Sequence, residues 1–204
     1  HGDGMEQDYT QAVEWFRKAA QQGHVRACFQ LGICYYRGQG PDQDYTQAVH
    51  WFRKTAERGD YNGHYWLGYC YYFGRGVEQD YTQAMEWFRK AIELGHEYAY
   101  YWLGICYYHG QGVEQDYTQA VQWFRKGAEL GDEDARYWLG VCYYHGQGVE
   151  QDYAQAAQLY QKAAEQGHKD AQLALADCYE QGLGVPRDPS LAKEWRAKAK
   201  AKNF

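Results

Sequence analysis

Six cysteines, eight histidines and a single serine are the side chains through which this sequence could do nucleophilic or metal chemistry. Five of the cysteines, Cys34, Cys70, Cys106, Cys142 and Cys178, recur every 36 residues. If the copies sit on stacked helices, neighbours lie ~8–10 Å apart, whereas a disulfide needs Cα atoms within about 7 Å. Cys28 precedes Cys34 on the same stretch at a spacing that also misses bonding geometry. The thiols are therefore expected to be reduced core residues, which leans towards a cytoplasmic setting without fixing the compartment. Ser190-Leu191-Ala192-Lys193 has the Ser-x-x-Lys spacing of an acyl-transfer nucleophile, but the companion Ser-Asp-Asn and Lys-Thr-Gly elements are absent. His1, His109 and His145 share one repeat position. A zinc ion holds its ligands about 2 Å away, so copies roughly 10 Å apart do not share one. The Gly-x-Gly after them, as in Gly110-Gln111-Gly112, follows a helical pattern instead of a strand and fails as a nucleotide fingerprint. No catalytic residue, metal or cofactor is expected.

The frame that carries these residues is a repeat. Starts at Gln7, Gln43, Gln79, Gln115 and Gln151 each open Gln-Asp-Tyr, with Gln-Ala shortly after. The third and fourth copies differ at only eight of 36 positions, so the chain is a stack of like units. Within each unit two helices are expected. Asp8, Asp44, Asp80, Asp116 or Asp152 caps the first, with Gln11, Gln47, Gln83, Gln119 or Gln155 completing a capping box. Gly23, Gly59, Gly95, Gly131 and Gly167 end it; Gly38, Gly74, Gly110 and Gly146 end the second. Ala84, Trp87, Phe88, Ala91 and Ile92 fall on one face of a first helix, and Ala99, Trp102, Leu103 and Cys106 on one face of a second. Gly32, Gly68, Gly104 and Gly140, each in mid-helix, point to close helix approach, since Gly there costs ~1 kcal/mol against Ala. Residues 1–186 are read as one solenoid domain and 187–204 as a capping helix opened by Asp188-Pro189.

Charge and hydropathy exclude other classes. A net charge of −6 disfavours duplex nucleic acid, whose binding rests on neutralising phosphates. Arg187, Lys193, Arg196, Lys198, Lys200 and Lys202 make the last helix basic, which reads as a solvated cap. No apolar run approaches the ~18 residues of a membrane span. His1-Gly2-Asp3-Gly4-Met5-Glu6 aligns with His109–Glu114, so the sequence is expected to start inside a repeat of a longer parent.

Ala99, Leu103-Gly104, Tyr107, Gly110-x-Gly112-Val113, Asp116, Ala120 and Trp123-Phe124-x-Lys126 together resemble the Sel-one-like repeat (SLR) family, a relative of the tetratricopeptide repeat. The resemblance covers essentially the whole chain. It implies an all-α, right-handed superhelical solenoid of antiparallel helix pairs, with the second helices lining a concave face. It further implies scaffold, adaptor or recognition work and a non-enzymatic role. Some secreted members staple each unit with two cysteines; the second is missing here.

Tyrosine is abundant at 22 residues. If the second helix sits as in the tetratricopeptide relatives, one face carries Asn62, Tyr65, Tyr69, Tyr72 and Phe73 in the second unit. It carries Tyr98, Tyr101, Ile105, Tyr108 and His109 in the third, and Asp134, Tyr137, Val141, Tyr144 and His145 in the fourth. Tyr35, Tyr71, Tyr107 and Tyr143 are expected to pack between units instead. Tyrosine gives rigid contact area and a hydroxyl, which suits recognition. In the fifth unit Leu173, Asp177, Glu180 and Gln181 replace the stripe, so a groove centred on units two to four is expected. The expected activity is binding of a protein or peptide on that face by a monomer. The alternatives are an immunity-type partner neutralising a secreted bacterial toxin, and a carbohydrate or cell-wall glycan binder. A hydrolase using Ser190 is the remote third.

Overall fold

Each Gln-Asp-Tyr start becomes the first turn of a helix. The computed structural model describes residues 9–201, and every regular element among them is helical. The helices are α1 (Tyr9–Gln21), α2 (Val25–Arg37), α3 (Tyr45–Ala56), α4 (Tyr61–Phe73), α5 (Tyr81–Glu93), α6 (Ala99–His109), α7 (Tyr117–Glu129), α8 (Glu133–His145), α9 (Tyr153–Glu165), α10 (Lys169–Gln181) and α11 (Pro189–Lys200). They gather into two compact halves, residues 1–99 and 100–204. His1, Asp8 and the other residues before Tyr9 lie outside the described part.

The caps follow the expected chemistry with one change. Asp44, Asp80, Asp116 and Asp152 each accept the backbone N–H three residues on, at 3.0 Å. The Gln three residues on contributes that N–H. It is the other Gln, in front of Asp, that reaches back with its side chain. Gln43, Gln79, Gln115 and Gln151 Nε2 donate to the carbonyls of Tyr36, Tyr72, Tyr108 and Tyr144 at 2.8–2.9 Å. Those carbonyls belong to the last turn of the preceding helix, which has no intrahelical donor left. Arg187 Nε does the same for Glu180 before α11. The Gln-Asp pair thus ties one helix end to the next helix start.

Burial follows the 3.6-residue period. In α5, Ala84, Met85, Phe88 and Ala91 are buried while Trp87 and Ile92 are half-buried. Phe52, Phe88 and Phe124 are the largest fully buried side chains, followed by Leu31, Leu67, Leu103 and Leu175. The mid-helix glycines meet these rings. A Cβ on Gly68 would stand 2.7 Å from Phe88, and one on Gly140 2.7 Å from Tyr160. Ala176 occupies the equivalent position in α10, where the residue in register with Phe88 and Tyr160 is Arg196 in place of a ring. All six cysteines are buried, and none is in a disulfide. Burial pushes Cys70 and Cys142 up to about 12 and Cys178 up to about 11, so they stay protonated thiols. No helix is long and apolar enough to cross a membrane among the described residues.

Candidate interaction face

Within each half, α2, α4, α8 and α10 pack one side against the first helices beside them, and the tyrosines divide according to their distance from that side. Tyr35, Tyr71 and Tyr143 lie half-buried, and their hydroxyls accept from Arg17, Arg53 and Arg125 Nη2 at 3.1–3.2 Å. These bonds join the two helices of one unit, whereas packing between units was expected for that position.

The stripe divides further. In the first half, Tyr72 is only 8% exposed and packs edge-on against Tyr81, 5.1 Å between centroids, so it belongs to the core. Tyr65 stacks flat on His96, at 4.1 Å and 9°. Tyr69 lies 4.6 Å from Phe73, which is 40% exposed, and Tyr98 stands 62% exposed. In the second half, Ile105 is buried, Tyr101 is half-buried against Trp102, and the Tyr108 hydroxyl donates to Gln147 Oε1 at 2.6 Å. Tyr137 stacks on His168 at 4.7 Å, Tyr144 meets Tyr153 edge-on at 5.1 Å, and His109 and His145 are exposed. The positions nearest the following repeat are drawn inward because a ring at that radius reaches the next first helix.

Four stripe residues converge. Tyr137, Val141, Tyr144 and His145 of α8 line a cavity of about 260 Å³ together with Tyr160 of α9 and Ala174, Asp177 and Gln181 of α10. The fifth repeat was expected to fall outside the groove, yet it shapes this cavity. Its residues are shorter than the aromatics they replace, and the space left is the pocket. A second cavity, of about 350 Å³, lies in the first half among Tyr61, Asn62, His96, Glu97 and Tyr98.

One repeat position, directly before α2, α4, α8 and α10 and three residues before α6, alternates along the sequence: His24, Asp60, His96, Asp132, His168. Asp60 Oδ1 accepts from Asn62 N, Asp132 Oδ1 from Ala135 N, and His168 Nδ1 from Ala171 N. His96 is buried with no hydrogen-bond partner at Nδ1, and burial pulls its imidazole down to about 4 despite the Asp60 carboxylate. Burial raises Asp132 to about 6 against the pull of the Ala135 N–H. At His168 burial acts downward, but the Asp134 carboxylate, 3.0 Å from Nε2, together with Asp170 and Glu133, leaves it raised.

Ser190 sits exposed in the first turn of α11, where its N–H is taken by Asp188. Among the described residues no group of three or more His, Cys, Asp or Glu gathers as a metal site.

The sequence matches the Sel1 repeat over residues 1–24, 25–60, 62–96, 97–132, 133–168 and 169–204. In that frame each second helix pairs with the first helix that follows it, and α10 with α11 forms a sixth match. Among solved structures, a Sel1 repeat protein from Oxalobacter formigenes is 35% identical with a TM-score of 0.92, over 98% of this chain and 80% of that one. A protective antigen of uropathogenic Escherichia coli displaying an SLR fold is 39% identical with a TM-score of 0.86, over 97% of this chain. The chain spans 42% of that antigen's length. An immunity protein from Pseudomonas aeruginosa, 24% identical with a TM-score of 0.64 over 97% of this chain and 75% of that one, shares the fold. No curated protein matches the chain.

Proposed function

This chain belongs to the Sel1 repeat family, and on that premise we propose that it is a non-catalytic scaffold holding a protein or peptide along the tyrosine-bearing face of its second helices. Proteins of this family are in general protein-interaction scaffolds. The observation that carries the reading is the cavity where Tyr137, Tyr144 and His145 meet Asp177 and Gln181. Recognition sites combine apolar walls with a few polar groups that fix orientation, and this one sits on the expected stripe. Exposed Phe73 and Tyr98 offer further anchoring rings. An immunity-type role is the narrower form of the same reading, with one tight partner.

A glycan reading has one observation in its favour: Tyr61 and Tyr98, both exposed, flank a cavity that also presents Asn62 and Glu97. Aromatic faces beside polar groups suit a sugar ring. One experiment separates the readings. A photo-crosslinking residue at Tyr98 or His145 should trap a protein from native lysate, while one at exposed Glu86 or Gln122 on first helices should not. Trapping only at the first helices would remove the proposal. Trapped material that survives protease digestion would favour the glycan.

A further inference from the structure

The repeat supplies internal copies of the pocket between α8 and α10, and in them the space is filled. In the first half the corresponding cell is built by Tyr36, Tyr45, Tyr69 and Phe73, which correspond by the 36-residue register to Tyr144, Tyr153, Asp177 and Gln181. Arg75, from the loop after α4, lays its guanidinium over all four rings at 5.2–5.7 Å. Trp66 covers the inner wall, stacked on Phe52 at 5.4 Å and edge-on to Tyr36 at 4.9 Å. Within the second half, the preceding cell has Trp138 stacked on Phe124 at 6.1 Å and edge-on to Tyr108 at 4.9 Å, with Gln147 receiving the Tyr108 hydroxyl.

In the last cell both plugs are gone. Ala174 stands at the Trp66 and Trp138 position, and Leu183 at the Arg75 and Gln147 position. Tyr144 thereby loses the loop partner that Tyr108 has, and the face of Tyr160 loses its indole. A carboxylate appears instead: Asp177 stands where Tyr69 and Val141 stand in the other cells. Arg196 forks between Asp177 Oδ1 at 2.8 Å and Glu180 Oε2 at 3.1 Å, so this trio keeps a net negative charge. Asp177 Oδ2 has no partner among the described residues.

We propose that this pocket receives an arginine side chain of the partner. A guanidinium is planar, as the missing indole is, and cationic, as Arg75 is. It stacks on tyrosine faces and hydrogen-bonds a carboxylate in its own plane. Lysine meets the charge but not the stacking, and a neutral aromatic meets the stacking but not the charge. The inference rests on the reading of the tyrosine face as a recognition surface, and it names what one position of the partner must carry.

The test uses small probes with the full chain. N-acetylarginine amide is titrated at pH 8 while NMR follows Tyr137, Tyr144, Ala174 and Asp177; a ligand this small should bind on the order of 1–10 mM. N-acetylcitrulline amide, N-acetyllysine amide and N-acetyltryptophan amide should bind at least about fivefold more weakly. Asp177→Asn should weaken the arginine probe by a similar factor. Ala174→Trp and Leu183→Arg, each restoring a plug found in another cell, should abolish it while leaving the helical circular dichroism unchanged. Equal binding of citrulline or tryptophan, no shift with arginine, or arginine binding that survives Ala174→Trp would each overturn the assignment. A partner still trapped at His145 in any of those cases would leave the scaffold reading standing and remove only the arginine pocket.

Discussion

At the residue scale the chain shows pairs of positions that change together along the stack. Gly68 faces Phe88 and Gly140 faces Tyr160, whereas the residue in register with those rings beside Ala176 is Arg196, so the glycine is present where a ring stands in register and absent where none does. Gly68→Ala should therefore destabilise despite alanine's better helix propensity. Overpacking costs about 1–3 kcal/mol and propensity returns up to ~1 kcal/mol, leaving a net loss centred near ~1 kcal/mol in urea unfolding. In a double-mutant cycle, Phe88→Leu should couple favourably with it; additive costs would show that the ring is not the obstacle. Close approach was legible from the recurrence of the glycine alone. The identity of the opposing residue was not, because nothing in one helix's period names the neighbour it meets. The same gap hid Tyr72. Its type and spacing match the exposed stripe, and only the reach of a ring towards α5 puts it in the core.

At the element scale, helix ends account for most of what recurs. Asp80 caps α5 through Gln83 N, and Gln79 caps the end of α4 through Tyr72 O while also donating to the Tyr81 hydroxyl at 3.0 Å. Gly74, with φ 66° and ψ 36°, takes the left-handed position that turns the chain out of α4. Gln79→Ala should cost about 1 kcal/mol. Its mark should be local: faster amide exchange in the last turn of α4, with the middle of α5 unchanged. Uniform loss of protection would mean that the glutamine acts through packing instead. Helix starts and stops were legible because Asp, Gln and Gly at fixed offsets have few other uses. The capping box was read with its two halves on one helix, whereas the glutamine that reaches back precedes the aspartate. Also hidden was the pocket at α8 and α10, since it exists through what Ala174 and Leu183 lack. A cavity left by truncation carries no motif; comparison with Trp138 and Arg75 in register is the signal that could have found it.

At the scale of the whole molecule, the alternating repeat position ahead of the second helices gives the two halves opposite responses to acid. In the first half His96 is held neutral by burial, at about 4 against an unfolded value near 6.5. Between those values the unfolded chain binds the proton and the folded chain does not. Stability is therefore lost as pH falls through that window, by about 3 kcal/mol at ~1.4 kcal/mol per unit. In the second half the sign reverses. Burial lifts Asp132 to about 6 from 3.8, so the folded state takes the proton first and gains a comparable amount as pH falls from about 6 towards 4. His168, raised by Asp134 against the opposing effect of burial, also favours the folded state when protonated. Its contribution is full below ~6.5 and fades as pH rises through its folded value. Amide exchange at about pH 7.5 and about pH 5, corrected for intrinsic rates, should show protection falling in α4 and α5 and holding or rising in α8 to α10. His96→Asn, which caps without titrating, should flatten the response of the first half alone. A uniform change across both halves, or an acid response in the first half that survives His96→Asn, would show that the buried residue at this position does not set the pH dependence.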